Sequence, residues 1–200
     1  PVLAHRWSER RAMSHPVELR LSGSGGQGLQ FSARVLAEAL LRDGRTVAQS
    51  QSYEPTSRGG VSRSDLVVSD GDIDYPLVTG LDYLVILDEV AAEFPPTLLK
   101  PTATLLVDES RVQTRVAGPW TIRRSPFAEI ARSLGNERAG NIVALGTLLA
   151  LSSLCSSASV AAALAAETPP KFLDLNREAL DAGWRLVQPT PAAEAAHARS

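Results

Sequence analysis

A strand, a glycine-rich turn and a helix follow one another near the start of the chain, and this succession constrains the fold more than any other feature. Val17–Ser22 alternates apolar and polar side chains with the two-residue period of a β-strand. The next six residues, Gly23-Ser-Gly-Gly-Gln-Gly28, include four glycines. From Leu29 to Leu41 apolar residues recur at intervals of three and four, which predicts a helix with one apolar face. A strand that turns sharply into a helix is typical of α/β folds.

The rest of the chain continues with strands and then helices. The segments predicted as strands are Thr46–Ser52, which we place beside the first strand, Ser64–Ser69, Tyr83–Leu87 and Ala103–Val107. The segments predicted as helices are Phe127–Leu134, Asn141–Leu151, Ser159–Ala166 and Lys171–Ala182. Because several of these strands are nearly continuously apolar, we expect an α/β fold of Rossmann-like type. It would consist of a mostly parallel sheet with helices on both faces, followed by C-terminal helices.

Length and composition fit one globular unit. The 200 residues are 44% hydrophobic and 21% charged, which suffices for one sizeable core. We expect a single domain over 16–187, preceded over 1–15 by a disordered extension or a cloning remnant, with Met13 as a candidate natural start. The alanine-rich residues 188–200 are expected to form a flexible tail.

Charge and cysteine content exclude several functions. The formal net charge of −2 provides no basic field to attract nucleic acid or an anionic membrane surface. The single cysteine, Cys155, excludes an internal disulfide and any iron–sulfur cluster or zinc ribbon built from this chain alone. No apolar run reaches the roughly 18–20 residues needed to cross a bilayer, and none resembles a signal peptide. We therefore expect a cytoplasmic protein without a metal site of its own.

The first candidate binding site consists of Gly23, Gly25, Gly26, Gln27 and Gly28. Glycines at such a turn let the backbone approach a ligand closely, and the N–H groups at the start of the following helix attract an anion. A dinucleotide site also needs an acidic side chain about 20 residues further on, at the end of the second strand. That strand ends in Gln51-Ser52, which disfavours NAD or FAD. An anionic ligand or ligand fragment, and glycines that only permit tight strand–helix packing, both stay open.

The second candidate binding site consists of Ser57, Arg58, Gly59 and Gly60. A guanidinium forks onto a carboxylate or phosphate, and neighbouring glycines tolerate unusual backbone angles, so this loop can clamp an anion. The alternative is a solvated or interface arginine in an ordinary turn. Asp88 and Glu89, at the end of a predicted strand, fit either a ligand group or a helix N-cap. We identify no catalytic residue.

Several motifs occur in an order that gives the chain a family resemblance. They are Gly23–Gly28, Tyr53-Glu-Pro-Thr-Ser-Arg-Gly-Gly-Val-Ser62, Leu66–Asp70, Ile73–Pro76, Asp82–Ile86 and Asn141–Gly146. This series resembles the gamma subunit, or gamma domain, of the pyruvate, 2-oxoglutarate and ketoisovalerate ferredoxin oxidoreductases. The residues before Arg58 resemble the 2-oxoglutarate or general 2-oxoacid branch more than the indolepyruvate branch, and an aryl-glyoxylate relative stays open.

The resemblance implies one subunit of an enzyme that oxidatively decarboxylates a 2-oxoacid to an acyl-coenzyme A and CO2, with electrons passing to ferredoxin or another acceptor. Thiamine diphosphate, Mg²⁺ and [4Fe–4S] clusters would be held by alpha and beta subunits, or by a ferredoxin-like delta subunit, so the isolated chain would be inactive. The gamma subunit would be a scaffold whose two glycine motifs lie near coenzyme A. The alternatives are a free-standing Rossmann-type nucleotide-binding protein and a purely structural adaptor.

Overall fold

The computed structural model describes residues 13–54 and 60–188, and this part of the chain forms six strands and five α-helices. The strands are β1 (Val17–Ser24), β2 (Thr46–Tyr53), β3 (Val61–Ser69), β4 (Leu81–Ile86), β5 (Leu99–Asp108) and β6 (Thr121–Ser125). The α-helices are α1 (Leu29–Arg42), α2 (Phe127–Ser133), α3 (Gly140–Ser152), α4 (Ser157–Glu167) and α5 (Leu173–Arg185). Each predicted element corresponds to one of these. Only β6 was not predicted, because this short strand, with two arginines and little apolar character, lies at the edge of the sheet.

The six strands form one sheet in the order β2-β3-β1-β4-β5-β6. The neighbouring pairs β1–β4, β4–β5 and β5–β6 are parallel. Strand β3 is antiparallel to both of its neighbours, β1 and β2. Five of the six strands therefore point the same way, which confirms the mostly parallel α/β sheet. The placement of Thr46–Ser52 beside the first strand is wrong, because β3 lies between β2 and β1. The apolar β3 suits an interior position, whereas the serines and glutamines of β2 suit an edge.

The two faces of the sheet are covered differently. All five α-helices contribute to one hydrophobic cluster, which the sheet completes with side chains such as Leu21, Leu66, Val85 and Leu106. The intervening residues Leu84, Ile86, Leu105 and Val107 belong to a second cluster on the opposite face. There the covering helices are single 3₁₀ turns, Glu89–Ala91 and Pro96–Leu98, joined by irregular segments. We expected helices on both faces of the sheet. The structure has α-helices on one face and only 3₁₀ turns on the other.

Helix α3 lies at the centre of the α-helical layer. It is apolar on every side, and eleven of its thirteen residues are buried. Its backbone touches that of α5, because a Cβ at Gly146 would lie 2.1 Å from the carbonyl oxygen of Leu180, and one at Gly183 would lie 1.8 Å from that of Val143. Thr147 Oγ1 also donates to the Gly183 carbonyl oxygen at 3.0 Å. These contacts hold the middle of α3 against α5.

Within 13–54 and 60–188, no helix combines the length and apolar character that crossing a membrane requires.

Candidate functional site

A cleft of about 550 Å³ opens where the carboxyl ends of β1, β4 and β5 meet. Parallel strands bring these ends to one edge of the sheet, where α/β folds place their ligands. The lining residues come from the glycine turn, from the segment after β5 and from the approach to α3; they include Ser24, Gly25, Gly26, Gln27, Asp108, Arg111, Asn136, Glu137, Arg138 and Asn141. The first predicted binding motif therefore forms one wall of the cleft.

The side chain of Gln27 holds the glycine turn in shape. Its Oε1 accepts a hydrogen bond from the Ser24 N–H at 2.8 Å, and its Nε2 donates to the carbonyl oxygen of Leu87 at 3.1 Å and to Asp88 Oδ2 at 3.2 Å. The turn is thereby fastened to the end of β4. Both ends of the Gln27 amide are engaged within the protein and position the turn, and its contact with a ligand stays a prediction.

The four glycines of the turn serve different purposes. Gly26 and Gly28 have φ values of 86° and 74°, in the left-handed region where a side chain is strained. Gly23 and Gly25 do not have positive φ angles; they leave room for neighbouring side chains. A Cβ at Gly23 would lie 2.2 Å from Gln27 Oε1, and one at Gly25 would lie 3.2 Å from the Tyr53 ring.

Helix α1 begins at this turn without a capping side chain. Gly28 occupies the N-cap position, and the first turn of the helix contains no acidic residue. The free N–H groups at a helix start carry a partial positive charge, and here no side chain of the helix itself neutralises it. The wall formed by the glycine turn is therefore suited to an anion.

An ion-pair network spans the cleft from β4 to α3. Asp88 Oδ2 lies 3.2 Å from Ser24 Oγ and 3.6 Å from Arg111 Nη1. Arg111 also forms an ion pair with Glu137 Oε1. The other carboxylate oxygen, Glu137 Oε2, lies 3.0 Å from Arg132 Nη2. Hydrogen bonds from Arg132 and Arg111 hold the pKa of Glu137 below its ordinary value, so this carboxylate is ionised at neutral pH.

Asp88 makes the N-cap contact that one of its predicted alternatives requires, and Glu89 bonds to a neighbouring loop. Asp88 Oδ1 accepts from the Val90 N–H at 3.3 Å and so caps a 3₁₀ turn. Glu89 Oε2 accepts from the Gln113 N–H at 2.6 Å, and hydrogen bonds from Thr114 are the largest cause of a lowered Glu89 pKa. Both carboxylates fasten loops at the cleft margin.

Asp108, at the end of β5, is a buried carboxylate that the sequence reasoning did not single out. Its Oδ1 accepts from the Ser110 N–H at 3.0 Å, and its Oδ2 accepts from the Ala128 N–H at 3.0 Å. The carboxylate thus fixes the start of α2 against the end of the sheet. Because both oxygens are engaged, Asp108 shapes the cleft floor.

The second predicted motif lies mostly outside the described residues: Ser57, Arg58 and Gly59 fall between 54 and 60. Gly60 is buried directly before β3, whose first residue, Val61, pairs with Ser24 at the end of β1. On the other flank, the Tyr53 ring lies against Gly25. The structure therefore brings both flanks of the second motif to the edge that carries the glycine turn.

Besides Asp108, four polar residues outside the predicted motifs line the cleft: Arg111, Asn136, Glu137 and Arg138. Asn141 entered the sequence reasoning only as part of a motif, yet its Nδ2 donates to the Gly28 carbonyl oxygen at 2.8 Å. An asparagine among the apolar residues of α3 is the one sequence signal that marked this position. The other four lie in polar loops, where nothing in the local pattern distinguishes them.

Cys155 does not line this cleft. Cys155 is buried, and that burial raises the pKa of its thiol, as expected for an inert cysteine. Among the residues that the structure describes, no group of three or more histidine, cysteine, aspartate or glutamate side chains could hold a metal ion.

The sequence matches the family described as pyruvate ferredoxin/flavodoxin oxidoreductase over residues 18–186. It is 34% identical over 183 residues to the 2-oxoglutarate synthase subunit KorC of Methanocaldococcus jannaschii, covering 90% of this chain and 98% of the relative. The corresponding subunit of Archaeoglobus fulgidus is 36% identical over 140 residues, covering 70% of this chain and 72% of that one.

A solved structure supports the same assignment. The gamma subunit of a keto/oxoacid ferredoxin oxidoreductase from Geobacter sulfurreducens superposes with a TM-score of 0.75 at 35% identity, covering 84% of this chain and 96% of that subunit. Fold and sequence therefore agree. The chain belongs to the pyruvate ferredoxin/flavodoxin oxidoreductase family, as the gamma-type subunit of a multi-subunit 2-oxoacid:ferredoxin oxidoreductase.

Proposed function

We propose that the complex containing this chain acts on 2-oxoglutarate or a close 2-oxoacid. In this proposal the gamma subunit faces coenzyme A with the edge of the sheet that carries the glycine turn. The observation that carries the substrate class is the similarity to two 2-oxoglutarate synthase subunits, at 34% and 36% identity. The residues before Arg58 favour the same branch. Oxidative decarboxylation releases CO2 and two electrons, and the acyl group passes to the thiol of coenzyme A.

Thiamine diphosphate, Mg²⁺ and the [4Fe–4S] clusters belong, in this proposal, to alpha and beta subunits or to a ferredoxin-like delta subunit. A chain with one cysteine cannot supply the several thiolates that ligate such a cluster. Thiamine diphosphate provides the carbanion chemistry on the partner subunits, and ferredoxin or another acceptor takes the electrons. The gamma subunit supplies binding and orientation, and its working place is the cytoplasm.

Coenzyme A fits the chemistry of the cleft at its phosphate groups. The uncapped start of α1, with Gly26 and Gly28 holding the backbone open, presents N–H groups to an anion. Arg111 and Arg138 add cationic side chains to the lining. The first motif of the proposed site consists of Gly23, Gly25, Gly26, Gln27 and Gly28, in which Gln27 positions the turn. The second motif consists of Ser57, Arg58, Gly59 and Gly60. Arg58 would contact either coenzyme A or a partner subunit.

A free-standing dinucleotide-binding protein is the less favoured function. In a dinucleotide site the second strand lies beside the first and ends in a free acidic residue. Here β3 takes that place, and Glu54, which follows β2, lies 2.8 Å from Arg63. A purely structural adaptor would share the fold and the partners but would leave coenzyme A kinetics independent of the glycine turn.

Co-purification tests the proposed function. The tagged chain would be co-expressed with candidate alpha and beta subunits, and the purified complex would be assayed with 2-oxoglutarate, pyruvate, coenzyme A, thiamine diphosphate and a viologen acceptor. We expect iron–sulfur absorbance to co-elute with this chain and 2-oxoglutarate to be the better substrate. The isolated chain should be colourless and inactive. Turnover by the chain alone, or an assembled complex that rejects 2-oxoglutarate, would contradict the proposal.

A further inference from the structure

The segment that joins β3 to β4, residues 70–80, lies at the edge of the sheet opposite to the cleft. Strand β3 runs antiparallel to β1, and its register pairs Val68, near the end of β3, with Val17 at the start of β1. The segment, which we call the β3–β4 loop, therefore leaves the sheet at the amino edge of the parallel strands. None of its residues lines the cleft.

The middle of the β3–β4 loop exposes two large apolar side chains. Tyr75 is 57% exposed and Leu77 is 48% exposed, and Pro76 between them is exposed as well. Val78, in contrast, packs against the hydrophobic cluster on the face of the sheet that has no α-helix. Exposed large apolar side chains that lie this close together are typical of a protein–protein contact.

Both ends of the loop are held by side chains, which fixes the position of its exposed middle. At the β4 end the Glu18 carboxylate accepts hydrogen bonds from Thr79 Oγ1 at 2.9 Å and from the Gly80 N–H at 2.8 Å. At the β3 end Asp70 Oδ1 lies 3.2 Å from Nε of the buried Arg45. A loop held at both ends loses less conformational entropy when a partner binds it.

Two aspartates determine which kind of partner suits the loop. Asp72 and Asp74 are exposed on either side of Ile73, and neither takes part in an ion pair within 13–54 and 60–188. Two copies of the loop facing each other across a twofold axis would bring these like charges together. Nucleic acid and an anionic membrane surface would also be repelled. A protein surface with lysine or arginine side chains around an apolar groove complements the loop.

We infer that the β3–β4 loop docks onto another subunit of the oxidoreductase complex. Tyr75 and Leu77 fill an apolar groove on that subunit, and Asp72 and Asp74 face basic side chains at the rim of the groove. The chain belongs to a multi-subunit enzyme, so a partner exists that can cover this surface. The inference goes beyond the proposed function and does not depend on it, because the loop and the cleft lie at opposite edges of the sheet.

Dissociation of the assembled complex tests the inference. The complex would be co-expressed, purified through a tag on another subunit and diluted, and native mass spectrometry would measure the fraction that retains this chain. Tyr75→Ala and Leu77→Ala should each raise the dissociation constant of this chain about tenfold or more. The intact fraction should keep the wild-type kcat and the wild-type KM for coenzyme A. The matched control is Leu186→Ala, which shortens an exposed apolar side chain outside the loop and should change the constant less than twofold.

Salt dependence tests the charges of the loop. Higher salt should weaken the wild-type complex, because it screens the attraction between the two aspartates and the basic rim. The double variant Asp72→Asn/Asp74→Asn should bind more weakly than wild type at low salt and should lose part of this salt dependence. An identical response of both complexes to salt would overturn the inference of a basic partner.

Hydrogen exchange provides a measurement that needs no variant. The backbone amides of residues 72–78 should exchange more slowly in the complex than in the isolated chain. Thermal denaturation of the isolated Tyr75→Ala and Leu77→Ala chains should match wild type, since both side chains are exposed, and this separates lost docking from lost folding.

Three results would overturn the inference. One is unchanged hydrogen exchange of the loop on assembly, and another is that Tyr75→Ala and Leu77→Ala weaken the complex no more than Leu186→Ala. The third is a dimer of the isolated chain that the loop variants dissociate, because the surface would then bind a second copy. Assembly does not require turnover, so a complex that forms but rejects 2-oxoglutarate would contradict the proposed function alone.

Discussion

Asn141 Nδ2 donates a hydrogen bond to the carbonyl oxygen of Gly28 across 2.8 Å, and this bond joins the start of α3 to the start of α1. The two residues are 113 positions apart in sequence. Asn141 is buried, and Gly28 is the left-handed residue from which α1 begins. One side chain therefore sets the distance between the glycine turn and the opposite wall of the cleft.

Replacing Asn141 tests that relationship. Asn141→Ala removes the donor, while the Gly28 carbonyl oxygen keeps the Ser32 N–H as a partner at 3.1 Å, so we expect a loss of about 0.5–1.5 kcal/mol in the free energy of unfolding. In the assembled complex the KM for coenzyme A should rise as the turn relaxes. Chemical denaturation and steady-state kinetics measure the two effects. Ser133→Ala, which removes an exposed hydroxyl bonded to Ile130, serves as control, and equal effects of both variants would contradict the proposed coupling.

Two glycines of the turn provide a matched pair. Gly26 and Gly28 both have positive φ angles, but a Cβ at Gly26 would meet nothing within 4 Å, whereas one at Gly28 would lie 2.5 Å from Asn141 Nδ2. Gly26→Ala should cost only the left-handed strain, about 1–2 kcal/mol. Gly28→Ala should cost more and should also disturb coenzyme A kinetics, because it displaces Asn141. Similar unfolding free energies for the two variants would show that the Asn141 contact contributes little.

Replacing Gln27 by glutamate tests how the turn is fastened to β4. The Gln27→Glu variant keeps the acceptor for the Ser24 N–H but places an oxygen where Nε2 donates to the Leu87 carbonyl and to Asp88. Repulsion should raise the folded-state pKa of the introduced carboxyl above its unfolded value of about 4.3.

The sign of the pH effect follows from that shift. The variant should be less stable than wild type at neutral pH, and the difference should shrink as pH falls through the raised folded-state pKa, because the protonated carboxyl can donate again. Denaturation of both proteins between pH 4 and pH 7.5 measures the difference. A stability difference that does not change with pH would show that the amide donor is unimportant.

Contact between α3 and α5 requires Gly146. A Cβ there would lie 2.1 Å from the backbone oxygen of Leu180, which cannot move unless the helices separate. We expect Gly146→Ala to lower the free energy of unfolding by about 3 kcal/mol or more, or to prevent folding. Gly71→Ala is the control, since nothing lies within 4 Å of its Cβ and its φ is not positive. Wild-type stability of Gly146→Ala would mean that the helices are not in contact.

The thiol of Cys155 should resist modification in the folded protein. Burial, and secondarily the nearby charge of Asp43, raises the pKa of this thiol, so the reactive thiolate is scarce at neutral pH. We expect an aromatic disulfide reagent to label the native chain no faster than the chain unfolds, and to label it at once in denaturant. Rapid stoichiometric labelling of the native protein would contradict the buried position.

Much of the fold could be predicted because its elements have strong local signals. The alternation in Val17–Ser22 and the apolar stripe from Leu29 to Leu41 arise from the periods of strand and helix, which neighbouring residues alone express. The antiparallel insertion of β3 could not be predicted in this way. It depends on which strand offers two apolar faces to the interior, and that choice is made by the whole sheet.

The candidate site likewise has one part that was predictable from local sequence and one part that was not. The sequence by itself determined the glycine turn, since left-handed angles at Gly26 and Gly28 are a local requirement that glycine meets. Only the tertiary structure decided that Asn141 holds this turn, that Gln27 is engaged with Leu87, and that Arg138 lines the cleft. Such contacts join residues far apart in sequence, and their distances depend on strand order and helix packing. Local periodicity carries no information about either.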